Sequence, residues 1–188
     1  NWNDAINRLR GAALLQMTLP GAPTIYYGDE VGLVGPVTFD MDSNTWQDDP
    51  YNRMPYPWLD QTGTPYYTHL QTSLNQNYLL NYYKLLSSTR NAHPALRTGS
   101  FDPLLVDDSH MVYAYGRRSL EAEDAAVILI NRSTLAQTVT IDLTGYLPAT
   151  STLVDVLHSN TQYSIATDSS LTIPDVPAMS GVLLVLTS

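Results

Sequence analysis

The sequence contains no cysteine. That excludes a disulfide framework, a thiolate metal site and a cysteine nucleophile, and it leaves the compartment open. Cationic residues are scarce as well, with 9 Lys and Arg against 18 Asp and Glu for a net charge of -9. No basic stripe remains to neutralise a phosphate backbone, so no nucleic-acid partner is expected. Long apolar runs are missing too. Ala125–Ile130 and Val182–Leu186 are far too short to cross a bilayer, and no charged segment leads into an apolar one at the start. No membrane partner is expected. What is present is a foldable composition: 44% hydrophobic and only 14% charged, with 13 Tyr and 3 Trp, the opposite of a disordered chain. The 188 residues suffice for one ordinary domain or two small pieces. The chain opens at Asn1 directly into helix-like sequence and reads as part of something longer.

Two helical stretches and one set of strands account for most of the pattern. Ile6, Leu9, Ala13 and Met17 recur at helical spacing until Pro20, Gly21 and Pro23 intervene. Thr24–Tyr27 then reads as a short buried strand ending at Gly28-Asp29-Glu30. From Val31 to about Thr72 no period is visible, and a loop this long inside a compact domain usually carries function. Leu79, Tyr82, Leu86 and Arg90 mark a second helix, ended at His93-Pro94 because the residue before proline disfavours the helical conformation. After about Leu96 the period becomes two, with Tyr113 and Tyr115 expected to point inward. Strands are expected around residues 111–115, 125–130, 139–143, 152–157, 163–166, 171–173 and 182–186. Their spacing is that of an antiparallel β-sandwich. The boundary falls near residues 97–100. The first part has one strand and no partner for its edges, so it reads as the end of a larger α/β domain.

The junction between strand and loop is where chemistry would sit, since (β/α)8 barrels build their sites from the loops at the C-terminal ends of strands. The stretch Gly21-Ala22-Pro23-Thr24-Ile25-Tyr26-Tyr27-Gly28-Asp29-Glu30 is followed by Asp49-Pro50-Tyr51-Asn52-Arg53 and Pro55-Tyr56-Pro57-Trp58. In that order, and followed by a helix and a sandwich, these resemble the α-amylase family of glycoside hydrolases, in particular its neopullulanase-, maltogenic-amylase- and amylopullulanase-like members. The resemblance implies residues 1–96 as the C-terminal part of a catalytic TIM barrel (helix, eighth strand, long loop, helix) and residues 97–188 as the C-terminal β-sandwich.

It also implies a retaining cleavage of α-glucosidic bonds, with acid/base and nucleophile about 5 Å apart. The family's three carboxylates sit on earlier strands, its Asn-His-Asp motif is absent here, and no catalytic residue is assigned. The positions matching the family's sugar-binding Asp and Arg are Asp49 and Arg53, with Asp48 as the alternative register for the first. A carboxylate accepts from vicinal hydroxyls and a guanidinium donates a rigid fork to sugar oxygens, although such a pair can also merely pin a loop. The implied partners are an α-glucan oligosaccharide and the rest of the barrel. No cofactor or metal is expected within these residues; the family's calcium sites would lie upstream.

The remaining candidates have structural readings beside them. Trp58 is a possible pyranose platform or a residue buried under the loop. Asp29 and Glu30, as strand neighbours, point to opposite faces and cannot flank one bond, so they are read as braces of the barrel mouth. Tyr26 and Tyr27 are read as packing. His69, His93, His110 and His158 lack ligand spacing. Asn131-Arg132-Ser133 matches a glycosylation sequon. Tyr146 and Tyr163 would serve the competing reading, a carbohydrate-binding module; a purely structural accessory domain is the third.

Overall fold

The computed structural model describes residues 2–33, 38–40, 45–47, 53–64, 74–121 and 123–187. Contacts divide the chain into two compact units, one of Asn1–Thr24 with Lys84–Ser188 and one of Ile25–Tyr83.

In the larger unit, helix α1 (Trp2–Thr18) buries Ile6, Ala13, Leu14 and Met17 along the expected stripe, whereas Leu9 stays exposed. Helix α2 (Leu74–Ala92) carries the division between the units, and its Leu79, Tyr82, Leu86 and Arg90 are all buried. The helical signal continues beyond His93. Pro94 opens a further helix, α3 (Pro94–Thr98), because a first-turn position needs no amide and tolerates the fixed φ of proline. The Asp124 carboxylate satisfies one of its orphan donors, accepting from the Ala95 amide at 2.9 Å, while its other oxygen meets Nδ1 of His93 at 2.9 Å.

Eight strands follow: β3 (Asp102–Asp107), β4 (Val112–Ser119), β5 (Asp124–Asn131), β6 (Gln137–Asp142), β7 (Thr152–Asp155), β8 (Thr161–Ser164), β9 (Ser170–Val176) and β10 (Ser180–Leu186). Six form an antiparallel sheet in the order β3-β4-β5-β10-β7-β8, and β6 pairs with β9. Strand β3 was not foreseen. Its Pro103 is tolerated because it runs along an edge, with a register shift between Pro103 and Leu105.

The central strands are covered on both faces, which explains why β5 is a continuous apolar run rather than an alternating one. Val112, Ala114, Ala125, Val127 and Leu129 join Val139, Ile141, Leu171 and Ile173 of β6 and β9 in one core. The opposite face carries Tyr113, Tyr115 and Arg117, paired in register with Ile130, Ile128 and Ala126. That face meets α1. At Gly181 an added Cβ would lie 2.7 Å from Leu14 Cδ2 and 2.7 Å from the Leu129 carbonyl, so the missing side chain is what lets helix and strand approach. Tyr115, expected inside the sandwich layer, is buried instead on this helix-covered face.

Two arginines fasten the end of α1. A helix leaves its last carbonyls unpaired, and cations favour that negative end. Arg90 donates to the Met17 carbonyl at 2.8 Å and to the Gly21 carbonyl at 2.5 Å. Arg117, only 1% exposed, donates to the carbonyls of Thr18, Gly99 and Ser100. Burial, followed by repulsion from the other arginine, pulls the Arg117 guanidinium below its ordinary pKa; Arg90 is lowered by burial and then by Arg97. The Thr18 hydroxyl lies 2.6 Å from that of Tyr115, closing the junction.

Candidate functional site

The smaller unit, Ile25–Tyr83, runs from within the expected eighth strand to the middle of α2. Thr24–Tyr27 forms no strand here: residues 22–26 have no ladder partner, and Ile25, Tyr26 and Tyr27 are 39%, 52% and 43% exposed. A short extended segment cannot satisfy its backbone alone, and among the described residues no strand lies beside it. Tyr26 and Tyr27 are accordingly not core residues; their rings pack on each other at 5.0 Å.

Sterics dictate the turn that follows. Gly28 adopts φ 96°, and a Cβ there would lie 2.7 Å from Leu33 Cδ2, so both backbone and space demand glycine. Its amide donates to Glu30 Oε2 at 2.8 Å, and its carbonyl accepts from Leu33 at 2.9 Å and Val31 at 3.1 Å. Asp29 and Glu30 therefore sit in a single 3-10 turn, Asp29–Val31, rather than on alternate faces of a strand. Desolvation, with the Glu30 charge beside it, raises the Asp29 carboxyl above its ordinary value. Tyr83, on α2, is raised by burial and then by the charges of Asp29 and Glu30. One acidic turn thus faces two phenols, since Tyr56 hydrogen-bonds Glu30 and is raised by burial and by that carboxylate. Nothing in the sequence pattern singled out Tyr56 or Tyr83 for this; Tyr83 lies four residues after Leu79 on α2, on the buried side.

The loop preceding α2 contains a short antiparallel ladder of β1 (Thr38–Asp40) with β2 (Thr45–Gln47), which the sequence pattern did not announce. Asp48 and Asp49 lie outside the described residues; Arg53 is described and exposed. The segment after Arg53 is tied to the glycine turn twice, by the Tyr27 hydroxyl donating to the Met54 carbonyl at 3.2 Å and by the Tyr56–Glu30 bond. Trp58, one of whose readings was burial, is 63% exposed, its ring 4.6 Å from that of Tyr56. Asp60 closes the segment by accepting from the amides of Thr62 and Thr64, both at 2.8 Å. The Thr62 hydroxyl first, and then those amide bonds, hold its carboxyl below the ordinary range.

Elsewhere the candidates resolve differently. Tyr146 is buried, donates its hydroxyl to the Ala126 carbonyl at 3.0 Å and offers no stacking face. Asn131 is 1% exposed, and its Nδ2 donates to the carbonyls of Leu135, Val176 and Pro177, so the sequon nitrogen is fully engaged. His93, His110 and His158 each pair with one aspartate, and among the described residues no three metal-binding side chains cluster. No helix among them is long and apolar enough to cross a membrane.

Helix, glycine-bounded turn, arginine-bearing aromatic loop, helix and strand-rich sheets, in that order, fit the end of a (β/α)8 barrel followed by a β-rich region. The chain belongs to the alpha-amylase family, whose profile "Alpha amylase, catalytic domain" matches residues 2–99. It is similar to an amylopullulanase of Thermoanaerobacterium thermosulfurigenes, 34% identical over 190 residues, covering 96% of this chain and 9% of that protein. A cyclomaltodextrinase of Thermoanaerobacter pseudethanolicus is 30% identical over 139 residues, covering 70% of this chain and 18% of that protein. Among solved structures, AmyP in complex with maltose superposes with a TM-score of 0.75 at 22% identity, over 96% of this chain and 34% of that one, a likeness of fold. The chain spans well under a third of the curated relatives it matches.

Proposed function

We propose that this chain is the closing section of a retaining α-glucan hydrolase, with residues 1–96 completing the catalytic barrel and residues 97–188 forming a β-sandwich behind it. Thr24–Tyr27 becomes the eighth strand once flanking barrel strands supply its ladder. The catalytic carboxylates belong to other strands of the barrel, and the chain alone has no glycosidase activity. Its contribution is to hold substrate: Asp49 accepts from, and Arg53 donates to, the hydroxyls of a glucose unit beside the reacting one. The observation that supports this reading is the pinning of the segment after Arg53 to the glycine turn through Tyr27 and Tyr56, which gives the loop bearing the exposed Arg53 a fixed support. The family relatives named amylopullulanase and cyclomaltodextrinase support the α-glucan as substrate class.

Binding energy at a neighbouring subsite serves catalysis when it helps hold the reacting sugar in its distorted geometry. A hydrogen bond to a charged group is worth about 1.5–3 kcal/mol, or roughly one to two decades in kcat/KM. In the whole enzyme Arg53→Ala should therefore lower kcat/KM on maltooligosaccharides by that factor and spare an activated monoglucoside, which does not reach the subsite. Equal losses on both substrates, with a lower Tm, would reduce Arg53 to a loop-pinning residue. Turnover of maltoheptaose or pullulan by the purified chain would overturn the assignment of the carboxylates.

A further inference from the structure

We infer that Trp58 is a second element of the α-glucan site, a rigid platform on which one pyranose ring stacks. The inference rests on the reading of the Arg53 loop as a glucan-binding loop. A single exposed apolar residue is ordinary and by itself means nothing. Trp58 differs in how it is held. Its ring packs against Tyr56 with the planes tilted by 45°, and its amide donates to the Tyr56 carbonyl at 2.8 Å. Tyr56 in turn is hydrogen-bonded to Glu30, which is fixed by the Gly28 amide. Pro55 and Pro57 bracket Tyr56, so the backbone on either side has little freedom to lose. A relay of Gly28, Glu30, Tyr56 and Trp58 therefore anchors an indole that remains 63% exposed.

An indole held in place in advance loses little freedom when a ligand stacks on it, which removes the ordering cost at binding. The ligand it fits has a flat apolar face with a polar rim. A pyranose presents C–H groups on its faces and hydroxyls around its edge, matching an indole face with the Arg53 fork on the same loop.

The test uses the full 188-residue chain titrated with maltoheptaose, followed by calorimetry and by the indole N–H resonances of Trp2, Trp46 and Trp58. The Trp58 resonance should shift on titration. Trp58→Ala should weaken binding about threefold to tenfold, the worth of an aromatic stacking contact, and Trp58→Phe should restore most of it. If Trp58→Ala fails to fold, the wild-type resonance decides: a bound state in which the Trp58 signal does not move overturns the platform. Wild-type affinity in Trp58→Ala alongside weakened Arg53→Ala overturns the platform and leaves the Arg53 reading standing. Weakening by Trp58→Ala but not by Arg53→Ala supports the platform and removes Arg53. A wild-type chain that binds no maltoheptaose overturns both.

Discussion

Replacing Arg117 by methionine should lower the melting temperature of the chain by about 6–12 °C. The guanidinium donates through Nε to the Ser100 carbonyl at 2.7 Å, through Nη2 to the Gly99 carbonyl at 3.1 Å and through Nη1 to the Thr18 carbonyl. Methionine fills much of the space and supplies no donor, so three carbonyls lose their partner. A buried polar group left unsatisfied costs about 1–3 kcal/mol. Relief of the arginine's own desolvation, and of its repulsion from Arg90, offsets part of that sum. The partners, being backbone, cannot be removed along with the charge, and a net loss of about 3 kcal/mol remains. For a chain of this length each kcal/mol shifts Tm by about 2–4 °C. Arg117→Lys should recover about half of the loss, because a single ammonium cannot reproduce a fork aimed at three acceptors. Thermal and urea melts followed by circular dichroism measure both, with an unchanged m-value showing that stability alone has moved. An Arg117→Met variant melting within about 2 °C of wild type, or an Arg117→Lys variant equal to it, would refute this account of how α1 is fastened to the sheet.

Three further outcomes are expected. Burial, offset in part by the Thr18 hydrogen bond, pushes the Tyr115 phenol up to about 12. Its neutral form therefore stabilises the fold fully below about pH 10, and that contribution, on the order of 2–3 kcal/mol, is lost as pH rises from 10 toward 12; urea melts across that range should show the decline, and Tyr115→Phe should make it shallower, the remainder coming from Tyr146, whose phenol is also raised by burial. Asn131→Asp turns a donor into an acceptor facing three carbonyls and should cost about 3 kcal/mol or more by urea melt. Chain made in a glycosylating host should, once folded, carry no glycan at Asn131 by mass spectrometry. Asp124→Ala removes the acceptor for the Ala95 amide and the partner of His93 and should cost about 1–2 kcal/mol, measured the same way.

Local order determined a good deal of this protein. The helical stripes of Ile6, Ala13 and Met17 and of Leu79, Tyr82, Leu86 and Arg90 are set by spacing, and both helices formed where that spacing lies. Alternating stretches and short apolar runs between turn signals located seven of the eight strands from β3 to β10; β3 escaped because an edge strand beginning Asp-Pro carries little of either pattern. The Gly21–Glu30 stretch with its arginine-bearing loop was enough to name the family. Periodicity shows which side chains share a face but not what covers it, and there the tertiary structure decided. It placed Tyr115 and Arg117 under α1 rather than in the layer shared with β6 and β9. It left Thr24–Tyr27 unpaired, since a ladder is made by neighbours and not by the strand's own residues. It spent the Nδ2 of Asn131 on carbonyls up to 46 residues away, and it turned Trp58 outward on Tyr56. Each of these outcomes depends on groups distant in sequence competing for the same donor, acceptor or patch of surface, and that competition is settled only when the chain has folded.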